Sequence, residues 1–349
     1  MGDYRIELST VVHSAAGSLE ERELIGLITD NLFDAAARQK YFEWLDARND
    51  PRKFVVRELS DLAVAVESDD PGQADFDFAP REGFSSAWME MQGYSLLTAI
   101  RNQPNLRAVK HVLLKYAMPT VSIQAETIAV NSLPPTASRF GGRPGLPVEM
   151  PWPSTSEGML GFTGQIALED IRCMQAARKL PAGGWLAFFV SSEDAGPNRQ
   201  NDCGVYYFPP DTNLQFREVP ERVPFYHQRN GLRANALCRL IFTETWDFPD
   251  LNDRVVSDED RSLLLAAAPK FDFDTFRDLL RNSDNHLLGY SRHYRTEDTS
   301  PAADWCNLLC LGSIGALGWN WCDGEHLSYY IPQTDLAGAR FDRVAPYAS

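Results

Sequence analysis

Residues 138–168, SRFGGRPGLPVEMPWPSTSEGMLGFTGQIAL, decide the fold of this chain. The stretch begins with Gly141-Gly142 between two arginines and continues through a run that contains four prolines. Glycine reaches backbone angles that are closed to other residues, whereas each proline fixes φ and lacks an N–H donor. An apolar segment, residues 160–166, follows directly. The pattern therefore predicts a rigid, irregular segment that leads into a β-strand rather than into a helix.

The composition is that of an acidic chain without a visible targeting or membrane segment. Of 349 residues, 48 are Asp or Glu and 33 are Lys or Arg, which gives a formal net charge of −15. Nucleic-acid binding needs clustered Lys and Arg, so this charge argues against a nucleic-acid partner and favours a basic protein. The N-terminal MGDYRIELST lacks the features of a secretory signal, and no apolar run approaches the ~18 residues that span a bilayer. We therefore expect a cytoplasmic protein that does not associate with membranes, with its six cysteines reduced.

The first third of the chain has the periodicity of helices. Ser18 followed by Glu21 is a capping-box pattern, and apolar residues recur behind it at helical spacing. Further helices are predicted over residues 34–47, 52–66, 85–103 and 106–116. Residues 67–83 are acidic and contain proline and glycine, which predicts a linker-like loop.

Beyond Pro119 the periodicity changes to that of strands. Residues 185–190 form a continuous apolar run, and residues 205–208 and 327–331 are rich in aromatic and apolar side chains. Short helices are predicted over residues 261–268 and 274–282. The chain is therefore predicted to be α+β, with a helical N-terminal region over 1–117 and a β-rich domain over 118–349. Because the pattern changes at Pro119, we expect residues 118–349 to fold by themselves.

Several motifs resemble, in chain order, those of the YwqG-like family. They are SRFGGRPGLP at 138–147, WP at 152–153, LGFTGQI at 160–166, LPAGGWLAFF at 180–189, HLLGY at 286–290, WNWCDG at 319–324 and DL at 335–336. The resemblance covers about residues 115–349 and implies a β-rich fold with antiparallel strands and no settled biochemical activity. Members of this family have been proposed as immunity proteins of bacterial polymorphic toxins. Two glutamines typical of the family are absent, because Ser291-Arg292 follows the HLLGY element and Leu311-Gly312 stands near the second position.

A shorter resemblance lies near residues 18–60, within the helical region. YFEWLDARNDPR at 41–52 is similar to the Y-x-x-W-L-x-x-R/H-x-D-P-R pattern of a short helical repeat-companion module found in some environmental bacteria. The resemblance implies that this part of the chain is a small helical unit.

The arginines beside the glycine pair suggest an anion site. Backbone N–H groups at Gly141 and Gly142 and the guanidinium groups of Arg139 and Arg143 could surround a carboxylate or phosphate. The alternative is a structural turn whose arginines pair with acidic neighbours. The other residues predicted to bind a small ligand are Trp152, Gln165, His286, Trp321 and Asp323.

Four residues have a spacing that could suggest zinc: Cys306, Cys310, Cys322 and His326. If the apolar residues 305–311 form a strand, the two first cysteines lie about 13 Å apart at ~3.3 Å per residue, too far for one ion. Buried free thiols are therefore the better interpretation. We predict no metal and no cofactor.

An acidic and aromatic run is the strongest candidate for a protein-binding surface. Its predicted contact residues are Glu244, Trp246, Asp247, Asp250 and Asp253. Aromatic anchors would contribute buried area, and the carboxylates would attract a basic partner. The alternative is an ordinary solvated face.

Three functional interpretations follow from these features. The first is a protein-binding protein, most concretely a toxin-neutralising immunity protein whose partner is a basic toxin domain. The second is a domain that binds a small anion or another small ligand. The third is an enzyme of unrecognised type, which His286, Asp323 and His326 could serve if the fold brings them together. No catalytic motif such as G-x-S-x-G is present, so the sequence favours a protein without catalytic residues.

Overall fold

The computed structural model describes residues 18–68, 86–129, 132–156, 158–191, 203–221, 223, 236–280, 282–292 and 304–348. The loop predicted over residues 67–83 lies outside the described residues from position 69 onwards. Within these ranges the helices are α1 (Leu19–Asp30), α2 (Ala35–Asp46), α3 (Arg52–Glu67), α4 (Ser86–Glu90), α5 (Tyr94–Asn102), α6 (Pro104–Arg107), α7 (Lys110–Tyr116), α8 (Asp258–Ala267), α9 (Phe273–Leu279) and α10 (Gln333–Ala337).

The helix ends follow from local sequence. The Ser18 hydroxyl accepts a hydrogen bond from the Glu21 N–H (3.1 Å), so the predicted cap of α1 is confirmed. The helix predicted over 85–103 is divided into α4 and α5 at Gly93, whose φ is +81°. A Cβ at Gly93 would lie 2.6 Å from Leu32 Cδ1, so that side chain would have to shift, and the positive φ is the stronger reason for glycine at this turn.

One large antiparallel sheet forms most of the second part of the chain. Its strands, in the order in which they are hydrogen-bonded, are β14 (Ala345–Ala348), β13 (His326–Pro332), β12 (Trp305–Gly312), β11 (His286–Leu287), β1 (Met118–Ile128), β10 (Leu237–Asp247), β2 (Arg139–Gly141), β6 (Gly161–Ala167), β7 (Trp185–Val190) and β8 (Cys203–Phe208). Two small pairs complete the strands: β3 (Gly145–Pro147) with β9 (Leu214–Phe216), and β4 (Ser154–Thr155) with β5 (Gly158–Met159). The predicted α+β fold with antiparallel strands is confirmed.

The sheet curls so that its two ends approach each other. The Thr163 hydroxyl in β6 lies 2.9 Å from the Tyr329 hydroxyl in β13, strands that are far apart in the hydrogen-bonding order. At the outer ends, Cys203 Sγ in β8 lies 3.4 Å from the carbonyl oxygen of Val344, which precedes β14. The curled sheet encloses a core of fully buried residues, among them Phe188 and Trp321. The two long strands β1 and β10 pair over 11 residues at its centre.

A second apolar cluster joins the N-terminal helices to the end of β10 and the segment after it. Trp246 and Phe248 are buried in this cluster together with residues of α1–α3, α5, α8 and α9. The Trp246 indole N–H donates to the carbonyl oxygen of Glu90 in α4 (3.2 Å). The helical region and residues 246–280 therefore share one core, and the domain boundary at 117/118 stays a prediction.

The repeat-companion motif contributes a buried ion pair to this cluster. Arg52, whose side chain has no exposed surface, contacts the carboxylates of Glu21 and Asp50, each at 2.7 Å. The Tyr41 hydroxyl donates to Glu21 (2.7 Å) and accepts from the Trp88 indole N–H (2.8 Å). The tyrosine and the Asp-Pro-Arg of the motif thus act together in holding α1, α2 and α3.

None of the helices in the described part of the chain is long and apolar enough to cross a membrane.

Candidate functional site

The predicted anion site around Gly141-Gly142 is occupied by the chain itself. Arg139 is 1% exposed, and its guanidinium donates to the carbonyl oxygens of Pro134, Ala137 (3.2 Å) and Arg143 (3.4 Å). Burial, with the nearby Arg143 charge, lowers the pKa of Arg139 to about 10. The Arg143 guanidinium pairs with Glu218. The structure therefore favours the alternative, a structural turn, over an anion held by these two arginines.

The glycines have a packing role in that turn. Gly141 and Gly142 have φ values of +69° and +68°, which favour glycine. A Cβ at Gly141 would lie 2.7 Å from the Ala236 carbonyl oxygen. Gln165 completes the turn, because its amide accepts from the Gly145 N–H (3.0 Å) and donates to the Pro135 carbonyl (2.8 Å).

The remaining predicted ligand residues are dispersed. The Trp152 indole donates to the Leu160 carbonyl (2.8 Å), and its ring packs edge-on against Phe189. Trp321 is fully buried in the main core beside Trp319, with ring centroids 5.4 Å apart. Asp323 is exposed on the turn before β13. Trp152 and Trp321 belong to different apolar clusters, and a common ligand for the predicted set stays a prediction.

The acidic run also divides between the interior and the surface. Glu244, Trp246 and Asp247 lie at the end of β10 and are 1%, 3% and 0% exposed. The prediction that they form an exposed docking loop is therefore wrong. Asp250 and Asp253 lie beyond the strand at the partly exposed surface, where each carboxylate accepts a backbone N–H two residues ahead.

Asp247 is the centre of a buried polar group formed by Asp247, His286, Tyr290 and Arg292, here called the polar centre. Arg292 donates to Asp247 Oδ1 (2.6 Å) and Oδ2 (3.2 Å), and the Tyr290 N–H donates to Oδ2 (2.6 Å). His286 Nε2 lies 3.8 Å from Oδ2. Three of these four residues belong to the segment 286–292, which contains the HLLGY motif and the arginine behind it.

Burial and charge set the protonation states of the polar centre. Burial acts to raise the pKa of Asp247, but Arg292 and His286 outweigh it and hold that pKa below its ordinary value. Burial and the Arg292 charge lower the pKa of His286 to about 4, so the imidazole is neutral at pH 7. Its Nε2 lies 2.6 Å from the Tyr290 carbonyl oxygen, so the neutral ring donates from Nε2. The centre is thus an ion pair between Asp247 and Arg292 with a neutral histidine beside it.

The backbone conformation of the HLLGY motif brings the segment into contact with Asp247. Leu288 and Gly289 both have positive φ, +60° and +86°. A Cβ at Gly289 would lie 2.6 Å from Asp247 Oδ2 and 2.8 Å from Thr120 Oγ1. Only glycine therefore allows the segment to pass this close to the buried carboxylate.

A cleft of about 290 Å³ opens on one side of the polar centre. Five carboxylate residues line this cleft, which we call the acidic cleft: Asp250, Asp274, Asp278, Asp284 and Glu325. Arg277, Arg292 and His326 also line the cleft. Residue spacing along the chain carries no signal for this assembly, because its members span 75 residues and only Asp250 belongs to the predicted acidic run.

The two histidines considered for catalysis, His286 and His326, lie in different surroundings. His286 is enclosed in the polar centre, whereas His326 is 17% exposed in the cleft with Nε2 at 3.7 Å from Asp284 Oδ1. His326 therefore faces Asp284, not the predicted Asp323.

The strand predicted over residues 305–311, which contains two of the cysteines, is confirmed as β12. Cys306 and Cys310 lie four residues apart along this strand, and burial raises the pKa of both thiols, to about 11 for Cys310. No group of three or more His, Cys, Asp or Glu side chains within the described ranges is placed to hold a metal ion.

Comparison with known proteins identifies a family but no activity. Residues 138–347 match the sequence profile of a family described as a domain of unknown function, DUF1963. No curated protein matches the chain. The matched range contains strands β2 to β13, most of β14, the polar centre and the acidic cleft, whereas β1 precedes it.

Proposed function

Because this chain belongs to the DUF1963 family, a domain of unknown function, we propose its role from its own surface. On this proposal it is a protein-binding protein, namely a bacterial toxin-neutralising immunity protein that acts in the cytoplasm. Its partner is a basic toxin domain, whose Lys and Arg side chains enter the acidic cleft. The YwqG-like identity inferred from the motifs is part of the same proposal.

The observation that carries the proposal is the unequal exposure of opposite charges in the acidic cleft. The side chains of Asp274, Asp284 and Glu325 are 61%, 75% and 46% exposed. The two arginines that line the same cleft, Arg277 and Arg292, are only 7% and 8% exposed. A partner approaching this face therefore meets carboxylates first.

The buried arginines are already engaged by the chain. Arg277 donates to the carbonyl oxygens of Phe248 (2.7 Å) and Pro249 (3.3 Å), and it pairs with Asp274. Arg292 is held by Asp247 in the polar centre. Their guanidinium groups thus fix the floor of the cleft, while the exposed acids remain at its rim.

Exposed charges of one sign act mainly on the rate of encounter. Complementary fields raise association rates by about 10- to 1,000-fold, and the effect falls with ionic strength. The net charge of −15 extends the field of the cleft over the rest of the surface. Rapid capture is useful to an immunity protein, because it must bind its toxin before the toxin reaches its target.

The motif resemblance supports the choice of an immunity protein among protein-binding proteins. YwqG-like proteins have been proposed to neutralise polymorphic toxins, and residues directly after the HLLGY and WNWCDG elements of that resemblance line the acidic cleft. Ser291 and Arg292 directly follow the first element, and Glu325 and His326 follow the second.

The test begins with the gene beside the one that encodes this chain, since immunity genes adjoin their toxin genes. The neighbouring product should stop growth when produced alone, and growth should return when this chain is co-produced. Replacing Asp278→Lys together with Asp284→Lys should abolish that protection.

The matched control is Glu149→Lys with Glu221→Lys, which changes the net charge equally at two exposed positions outside the acidic cleft. Protection should survive in this control. If both double variants protect as well as the wild type, the acidic cleft is not the binding surface. If the neighbouring products neither stop growth nor bind the chain, the immunity assignment is wrong.

A further inference from the structure

A second, larger cleft lies on the other side of the segment that forms the polar centre. Its volume is about 760 Å³, and among its lining residues only Ser291 also lines the acidic cleft. A smaller compartment of about 90 Å³ shares Cys306, Asn307 and Leu336 with this lining and adds Pro119 and Leu288. We call the two compartments together the β12 cleft, because β12 contributes residues to both.

The floor of the β12 cleft contains a buried amide with an unused end. Asn307 lines both compartments and is 4% exposed. Its Nδ2 lies 3.5 Å from His286 Nε2, and its Oδ1 has no hydrogen-bond partner among the described residues. Because the His286 Nε2–H donates to Tyr290, the contact suits the turned-over amide, with Oδ1 toward His286 and Nδ2 without a partner; in either orientation one end of the amide is unused.

Asn307 is placed in the cleft by an irregularity of the strand. The pairing of β12 with β13 shifts in register between Asn307 and Leu309. Such bulges redirect a side chain and occur frequently beside binding sites. A polar side chain that is buried, directed by a bulge and incompletely hydrogen-bonded at the floor of a cleft is typical of a residue that orients a ligand.

The walls and the mouth of the cleft differ in character. Trp305 and Tyr290 supply aromatic surface, and Met118 and Leu336 supply apolar surface. Lys179 and Arg254 are exposed at the cleft and form no ion pair with a carboxylate in the described part of the chain. The Asp253 carboxylate lines the same cleft and interacts electrostatically with Arg254, so the lining contains two exposed cations without a close ion pair and one carboxylate.

We propose that the β12 cleft binds a small anionic molecule with an aromatic or apolar body. Its carboxylate or phosphate contacts Lys179 and Arg254, its body lies against Trp305 and Tyr290, and a polar group of the ligand hydrogen-bonds with the unused end of the Asn307 amide. This site lies outside the acidic cleft, so the proposal is independent of protein binding there.

The experiment uses the full chain and two pairs of probes. The anionic probes are adenosine monophosphate, which carries a phosphate, and N-acetyl-L-tryptophan, which carries a carboxylate. Adenosine and N-acetyl-L-tryptophanamide are their neutral counterparts. Titration calorimetry should show that at least one anionic probe binds. Its neutral counterpart should bind at least about tenfold more weakly, which is a difference in binding free energy of ~1.4 kcal/mol. The probe that binds identifies the phosphate or the carboxylate class.

Variants locate the bound probe. Lys179→Gln with Arg254→Gln should weaken binding about tenfold, a loss of ~1.4 kcal/mol. The control, Lys40→Gln with Lys270→Gln, alters two exposed lysines outside the cleft and should leave the affinity unchanged. Asn307→Ser should also weaken binding, and Trp305→Phe should remove the fluorescence change that accompanies binding of adenosine monophosphate. Melting curves of each variant, recorded without probe, verify that it is folded.

Two results would overturn the proposal. One is the absence of binding by both anionic probes. The other is an equal loss of affinity in the cleft variant and in the control variant, because that would reflect the general charge of the protein and not a site. If Asn307→Ser leaves the affinity unchanged, the buried amide binds only water and the proposed orientation of the ligand is wrong.

Discussion

Glu244 and Asp247 lie three residues apart on β10, both are buried, and their surroundings move their pKa values in opposite directions. Glu244 accepts hydrogen bonds from two backbone N–H groups, those of Gln175 (3.0 Å) and Ala176 (2.9 Å), but forms no close ion pair with any residue that the structure describes. Burial therefore dominates and raises the pKa of Glu244 to about 8. Asp247 is paired with the Arg292 guanidinium, which keeps its pKa below the ordinary value despite burial. The neutral backbone donors at Glu244 do not offset the effect of burial on its pKa, whereas the charged Arg292 does so at Asp247.

We predict that Glu244 makes the protein less stable as the pH rises from about 5 to 8. In this range the folded protein keeps a proton on Glu244 that the unfolded chain, with a pKa near 4.5, has released. Folding then takes up a proton, so the free energy of unfolding falls by up to ~1.4 kcal/mol per pH unit. Glu244→Gln should remove this slope in urea unfolding at several pH values, whereas the exposed control Glu149→Gln should retain it. Identical slopes in wild type and Glu244→Gln would contradict the assignment.

At the scale of elements, the sequence predicted most helices and strands but placed the acidic run in a loop. Asp and Glu are uncommon in strands, so Glu244 and Asp247 suggest a loop when only neighbouring residues are considered. Their partners lie about 69 and 45 residues away, at Gln175 and Arg292, and no local pattern contains that information. The glycine turn at 141–142 was predictable, because backbone geometry depends on adjacent residues. The acidic cleft was not, since it is assembled by the register of the sheet.

The HLLGY segment offers a test of how tightly it is fitted to the sheet. Gly289→Ala should destabilise the protein by about 2 kcal/mol or more, because the residue has positive φ and its new methyl group would contact Asp247 and Thr120. Gly315→Ala is the control, since a Cβ there has no neighbour within 4 Å. Urea unfolding of both variants measures the difference. Equal stabilities would mean that the segment is not held against the buried carboxylate.

At the scale of the whole molecule, the N-terminal helices and the curled sheet are connected through the cluster around Trp246 and Phe248. Polar contacts reinforce the connection. Tyr116 and Lys115 in α7 both contact the Asp260 carboxylate of α8 at 2.6 Å, and Arg178 pairs with Asp30 of α1. The acidic cleft depends on this junction, because Asp250, Asp274 and Asp278 lie in or beside the segment that the helices cover.

This connection changes what we expect of residues 118–349 when they are produced alone. The sequence predicts that they fold, but removing residues 1–117 would expose the apolar side chains of Trp246, Phe248 and Phe273. We now expect a fragment that binds a hydrophobic dye and melts with lower cooperativity than the full chain. Calorimetry of fragment and full chain measures this. A sharp transition without dye binding would establish 118–349 as an independent domain.

The central claim is that the acidic cleft attracts a basic protein partner, and its most direct test is the association rate constant with that partner. Surface plasmon resonance at about 50 mM and about 500 mM salt would compare the wild type with Asp278→Lys/Asp284→Lys and with Glu149→Lys/Glu221→Lys. We predict that only the cleft variant associates about tenfold or more slowly at low salt, and that the difference largely disappears at high salt. Equal association rates for the two double variants would contradict the claim, because the effect would then come from net charge and not from the cleft.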